Sequence, residues 1–248
     1  MLKSLIQDSS PVYPPAILLY GSPGIGKTTF GANARGPVFI LTEDGLAGKK
    51  VPCFPKAKTF AEVCQFIQLL IDERHGYQTL VLDSASGVDT LVKDSILLES
   101  GAKTLASVGA YGLGYALLGD RWNFLVQQLD LLRAKRSMCI LILGHADLTS
   151  AEDAEYGTFD RWTPSIYKKA QKAVVEWCDL VGYATRRMTL TSVDNGRRSV
   201  ASSVGGDERI VHYNGTPAIL AKNRFGITEK LPLAWEPLYE VFSQQIAR

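Results

Sequence analysis

Gly21-Ser22-Pro23-Gly24-Ile25-Gly26-Lys27-Thr28 fills every fixed position of the pattern GxxxxGK[ST]. An apolar run, Ala16-Ile17-Leu18-Leu19-Tyr20, precedes it, and a segment able to form a helix follows it to about Ala34. A strand, a glycine-rich loop and a helix are the context that gives this pattern its chemistry. Gly24 and Gly26 open backbone conformations closed to other residues, so successive N–H groups turn inward on an anion. The helix start adds its positive end. Lys27 offers a point cation to β- and γ-phosphate oxygens, and Thr28 offers a hydroxyl to magnesium. Residues Gly21 to Thr29 are therefore expected to hold a purine nucleoside triphosphate, ATP in first place, together with Mg2+. Hydrolysis is expected to follow.

Val38-Phe39-Ile40-Leu41, Thr79-Leu80-Val81-Leu82, Met138 to Leu143 and Leu180 to Thr185 read as further buried strands. Thr59 and Glu62 form a capping-box pattern around Phe60, Val63, Phe66, Ile67, Leu70 and Ile71, which keep helical spacing. Val88 to Leu98, Asp120 to Arg136 and Ile166 to Cys178 also read as helices. The glycine-rich residues 100–119 are expected to form a long mobile loop, and 147–164 a polar loop. Beyond Met188, Asp194-Asn195-Gly196 and Asn214-Gly215 signal hairpin turns. The order predicts an α/β fold: a mostly parallel central sheet with helices on both faces, extended by C-terminal antiparallel strands. One domain over 1–248 is the simplest reading, with its core at about 16–185 and a β-rich extension at about 186–248.

Asp83 ends an apolar strand downstream of the phosphate loop, the place from which a carboxylate would hold magnesium. Asp89 and Asp94 are rivals, but both fall on a helix. Hydrolysis also needs a carboxylate to orient water. Ser84 follows Asp83, so no second acid stands there. Thr42-Glu43-Asp44-Gly45 ends the next strand, and strand C-termini converge on the ligand edge of a parallel sheet. Glu43 is thus the candidate, a solvated loop acid being the alternative. His145, ending the fourth strand, is a candidate sensor of the γ-phosphate, or else a packed or solvent-facing histidine.

No apolar stretch reaches the roughly 20 residues that span a bilayer, and the N-terminus lacks a signal-peptide pattern. Both point to the cytoplasm and away from membranes. Cys53, Cys64, Cys139 and Cys178 form no CxxC pair and read as reduced thiols. Net charge is only +2, but residues 1–160 hold 14 Lys/Arg against 17 Asp/Glu, whereas residues 161–230 hold 12 against 6. The basic stretch fits either an anionic partner or a solvated face.

The order of phosphate loop, TEDG, LVLDS, a polar residue at the end of the fourth strand, and Ala221-Lys222-Asn223-Arg224-Phe225-Gly226 resembles the RecA/Rad-type recombinase core. It is most similar to the compact bacteriophage ATPases of the Sak type, which act in single-strand annealing and recombination. The resemblance covers about Ala16 to Trp235. It implies a RecA-like P-loop ATPase working as a homo-oligomer, ring or filament, in a bacterial host's cytoplasm if phage-encoded. Lys222 and Arg224 match the basic pair that reaches a neighbouring subunit's γ-phosphate. The resemblance also directs two segments toward single-stranded DNA. One is 100–119, with Lys103, Tyr111 and Tyr115. The other is 147–169, with Tyr156, Phe159, Arg161, Trp162, Lys168 and Lys169. Rings for stacking beside cations for phosphates suit single strands, although Glu152, Asp153, Glu155 and Asp160 oppose them. A single-strand-binding protein is a further expected partner. Two other readings stay open: a small-molecule kinase, and a ring motor or regulatory ATPase that does not bind DNA.

Overall fold

The computed structural model describes residues 13–46, 48–153, 157–187, 190–193, 200–203 and 208–246. The apolar runs form Ala16–Gly21 (β1), Pro37–Leu41 (β2) and Thr79–Asp83 (β3). They also form the first half of Cys139–Asp153 (β4). Wholly apolar runs this short hold as strands when both faces of the sheet are covered. Lys27–Ala32 (α1), Phe60–Asp72 (α2), Ala85–Ser100 (α3), Leu113–Arg136 (α4) and Lys168–Trp177 (α5) connect them. Gly157–Pro164 (β5), Leu180–Arg186 (β6), Leu190–Val193 (β7) and Val200–Ser203 (β8) follow. The chain closes with Arg209–His212 (β9), Lys222–Asn223 (β10), Leu231–Pro232 (β11) and Trp235–Ile246 (α6).

Among the described residues the main sheet runs β11-β9-β6-β1-β4-β3-β2, with β5 paired to β4 and β10 to β6. β6, β1, β4, β3 and β2 are parallel. β9, β10 and β11 add antiparallel strands at the far side, as the C-terminal pattern predicts. β7 and β8 pair separately, and the Asp194-Asn195-Gly196 turn falls outside the described residues. Alternate residues feed two cores. Leu18, Ile40, Leu82 and Ile142 face α2 to α5, where Trp122, Leu125 and Leu129 are fully buried. Leu19, Phe39, Val81 and Leu141 face α1 and α6. The Thr59–Glu62 capping box is formed as predicted.

The register positions the chemistry. Gly21 lies level with His145 and Ala184, and Asp83 lies level with Leu41 and Leu143. The segments leaving β1, β2, β3 and β4 therefore emerge at one edge.

Two expected loops are structured. Residues 100–119 are not a long mobile loop. Gly101 ends α3 in the left-handed region, Leu105–Ser107 forms a short 3-10 turn, and α4 begins at Leu113 rather than Asp120. Leu105 and Val108 are buried, and a Cβ on Gly114 would strike the Leu105 carbonyl. The glycine there permits close packing. Residues 147–164 are likewise a hairpin: β4 continues past the sheet edge to Asp153 and pairs antiparallel with β5, Leu148 opposite Trp162 and Thr149 opposite Arg161. Asn214-Gly215 is not the turn either; Thr216 and Ile219 exchange the closing backbone bonds at 3.1 Å. The Asn214 side chain instead donates to Ile227 O at 2.9 Å. Among the described residues no helix is long and apolar enough to cross a membrane.

Candidate nucleotide site

β1 ends with Gly21 so close to β6 that an added Cβ would come within 2.5 Å of Ala184 O. The chain turns outward through exposed Ser22, Pro23 and Gly24, then anchors on Ile25, which is 3% exposed. Gly24 and Gly26 have φ of 74° and 113°, left-handed values that cost any other residue energy. Phe30 fixes α1 by packing against Trp235 of α6 and donating its N–H to Gly26 O at 2.9 Å. Thr29 stays exposed beside the loop.

Lys27 is buried, and its Nζ donates to Gly21 O at 2.8 Å and to Ser22 O at 3.0 Å. Burial pushes its pKa down, while Asp83 and Glu43 pull it back up. The ammonium thus sits desolvated on neutral carbonyls of the loop mouth, where a phosphate oxygen would be a better partner. Thr28 Oγ1 donates to Asp83 Oδ2 at 2.8 Å. Burial raises the Asp83 pKa and Glu43 adds to this, while Thr28 and Lys27 oppose it. Gly45 leaves space beside the pair, since a Cβ there would stand 3.5 Å from Asp83 Oδ2 and 3.9 Å from Thr28 Oγ1. Among the described residues no three His, Cys, Asp or Glu form a metal site of their own. One carboxylate and one hydroxyl, open to phosphate and water, are what magnesium takes in such sites. The residues fit Mg2+ brought with a nucleotide.

Glu43 comes to the same edge from the end of β2. Its Oε1 accepts from Ser84 Oγ at 2.5 Å, and its Oε2 lies 3.1 Å from His145 Nε2. Burial alone would raise its pKa, but Ser84, His145 and Lys27 outweigh burial and hold it below the usual glutamate value. The carboxylate is therefore ionised, and it is not a freely solvated loop acid. Ser84 is a site residue that its place after Asp83 does not reveal. Its hydroxyl caps α3 by accepting from Gly87 N at 3.1 Å while donating to Glu43. Its backbone N–H donates to Thr42 Oγ1 at 2.9 Å. A serine at a strand end before a helix is an N-cap signal, and that signal could have found it. His145 also reaches the hairpin, its carbonyl accepting from Ser165 N at 2.8 Å.

The other residues singled out lie elsewhere. Asp89 is committed to Trp122 Nε1 at 2.9 Å, away from the loop. Lys222 and Arg224 meet at the N-terminal end of β6, since Lys222 pairs with Val181 whereas Ala184 is level with Gly21. They do not share one strand, because β10 stops at Asn223. Lys222 Nζ donates to Val175 O at 3.0 Å and to Glu176 O at 2.5 Å, and Arg224 Nη1 pairs with Asp179 at 3.0 Å. On this chain they are remote from its own phosphate loop. Arg161 and Trp162 lie on β5, on opposite faces. Arg161 donates to Pro217 O at 2.7 Å, and Trp162 stacks on Tyr183 with centroids 5.6 Å apart. Lys168 and Lys169 are exposed at the start of α5 instead of in a loop. Tyr156 falls outside the described residues.

One further cation reaches the phosphate loop. Arg209 of β9 donates from Nη1 to Ile25 O at 3.2 Å. Nothing local in the sequence connects them. A family model described as an AAA domain matches residues 14–225. No curated protein matches the chain.

Proposed function

Because the chain belongs to the AAA domain family, a P-loop ATPase fold, we propose that it binds ATP with Mg2+ and hydrolyses it, coupling turnover to single-stranded DNA. The observation that carries this reading is the Glu43 carboxylate, hydrogen-bonded to Ser84 and His145 at the edge that holds Lys27, Thr28 and Asp83. Lys27 leaves its carbonyl partners for phosphate oxygens and stays desolvated there. Thr28 and Asp83 would hold Mg2+, which supplies charge neutralisation at the phosphates. Glu43 orients the attacking water and accepts its proton, with Ser84 and His145 fixing the carboxylate.

The DNA part rests on connectivity. His145 touches Glu43 through its side chain, and its strand runs on directly into the β4–β5 hairpin. A change at the γ-phosphate side thus has a short path to Arg161 and Trp162, with Lys168 and Lys169 nearby in the chain. Half-exposed Trp162 can offer a ring face to a base, and the lysines can offer charge to the backbone. The resemblance to Sak-type proteins favours annealing or recombination as the process served. It also favours an assembly in which Lys222 and Arg224 enter a neighbour's site after leaving their present partners.

The test is the steady-state ATPase rate with and without single-stranded DNA, on wild type and on Glu43→Gln. Stimulation of the wild type by DNA and loss of turnover in the variant support the reading. Wild-type turnover indifferent to DNA, with an acceptor molecule phosphorylated instead, would make the chain a kinase.

A further inference from the structure

Arg209 stands 184 residues from Ile25 in sequence, yet its guanidinium lies against the phosphate loop. The pairing of β9 with β6 explains this. Arg209 is opposite Arg186, beyond Ala184, the residue level with Gly21. Its side chain therefore passes the sheet edge and folds back over the outer wall of the loop. Nη1 donates to Ile25 O at 3.2 Å and lies 2.9 Å from where a Cβ on Gly26 would stand. Leu233 secures the arrangement. Its N–H donates to Arg209 O at 2.8 Å, and its Cδ2 is 3.5 Å from the same Cβ position.

Neighbouring Glu208 is taken by Arg187 at 3.1 Å, and among the described residues Arg209 has no carboxylate partner. A guanidinium carries five N–H donors in a planar fork that matches phosphate oxygens. The bond to Ile25 uses one of them, and the residue is exposed. A triphosphate brings about four negative charges near neutral pH. Lys27 and one magnesium ion leave part of that charge unmet.

We propose that Arg209 is a nucleotide-binding residue supplied by the same chain. One N–H stays on Ile25 O, and the others bond polyphosphate oxygens from the outer wall of the loop, across from Lys27. The inference rests on the nucleotide-binding reading of Gly21 to Thr29. It differs from the roles of Lys222 and Arg224 in needing no neighbouring subunit. The antiparallel extension of the sheet thereby gains a role at the site, since β9 delivers a cation, and Leu233, just after β11, an apolar prop, to the loop that follows β1.

The experiment measures equilibrium binding of Mg2+-ATPγS and Mg2+-ADP to the full chain as wild type, Lys27→Ala, Arg209→Ala and Arg209→Lys. Thermal unfolding of each protein without nucleotide is measured alongside. Arg209→Ala is expected to weaken both nucleotides about tenfold, the loss of one charge-assisted bond. Arg209→Lys should recover part of this, and the unfolding temperature without nucleotide should not move. A wild type that binds neither nucleotide would remove the underlying reading. Tight wild-type binding lost in Lys27→Ala but retained in Arg209→Ala would overturn the inference alone. It is also overturned if Arg209→Ala lowers the unfolding temperature and Arg209→Lys restores nothing, for the residue would then only shape the loop.

Discussion

Glu43 Oε2 and His145 Nε2 lie 3.1 Å apart, although 102 residues separate them in sequence. The contact follows from register. β2 and β4 flank β3 in the parallel sheet, so Glu43, two residues past the end of β2, meets His145 where β4 passes level with Gly21 at the sheet edge. It places an ionised carboxylate between the Thr28–Asp83 pair and the strand that becomes the hairpin. Replacing Glu43 by Gln keeps the shape but removes the negative charge, and with it the base if Glu43 acts as proposed. Turnover should fall by about 10²- to 10⁴-fold, the usual worth of general base catalysis. Nucleotide affinity should stay within a few-fold, read by single-turnover hydrolysis and equilibrium binding.

The same contact predicts a pH response. Ser84, His145 and Lys27 hold the Glu43 pKa below its ordinary value of 4.5 against the effect of burial. A depressed carboxylate stabilises the fold above its unfolded pKa, and that contribution is lost as pH falls through the folded one. If Glu43 is the base, the acid limb of turnover should follow the same group. His145→Ala removes one of the interactions that lower it, so the limb should move to higher pH. A kcat–pH profile identical to that of the wild type would show that another group sets it.

Asp83 carries the opposite sign. Burial and Glu43 raise its pKa, so its ionisation opposes folding once pH exceeds the unfolded value, and the penalty is fully present above the folded one. Asp83→Asn keeps an acceptor for Thr28 and removes the charge. The nucleotide-free protein should gain on the order of 0.5–2 kcal/mol, a shift of a few degrees in unfolding temperature. With Mg2+ and ATP present the order should reverse, because the wild type alone retains a carboxylate for the metal. Calorimetry in chelator and in Mg2+-ATP compares the two.

How much of this is legible in the sequence depends on how local the determining contacts are. The phosphate loop, Asp83 and Glu43 are legible because each sits at the end of an apolar run, and a parallel sheet brings such ends together. The 100–119 segment misleads because glycine signals freedom in a pattern, whereas Gly114 serves the close approach of Leu105. The hairpin misleads because its alternation of small, acidic and aromatic residues has no apolar face of its own. β5 is held by the ladder to β4 and by its hydrogen bonds with Ala218 and Leu220. Arg209 is invisible in the sequence because antiparallel pairing across β6 brings it to the loop.

The hairpin yields a binding prediction. Triple replacement of Arg161, Lys168 and Lys169 by Ala should weaken single-strand binding at low salt. It should also reduce the slope of log affinity against log salt by about 0.7 for each phosphate that is no longer neutralised. Trp162→Ala should weaken binding by about 1–3 kcal/mol with little change in slope, because stacking releases no counterions. A triple variant that keeps the wild-type slope would move the DNA path elsewhere, and titrations with labelled oligonucleotide at several salt concentrations decide this.

Arg224 separates a structural role from an assembly role. Its partner Asp179 is also held by Arg133 at 2.7 Å and by Ala16 N at 3.0 Å, so that carboxylate keeps its bonds without Arg224. The Arg224 side chain is 56% exposed while Asp179 is 16% exposed, and solvent screening on the arginine side keeps such a pair to on the order of 1 kcal/mol. Arg224→Ala should therefore leave the unfolding temperature nearly unchanged. If Arg224 acts in a neighbouring site, the variant should lose the rise in specific ATPase activity that accompanies increasing protein concentration, while its nucleotide affinity remains. A wild type whose specific activity does not depend on concentration, at a size that sedimentation shows to be monomeric, rules that role out and leaves Arg224 as a surface partner of Asp179.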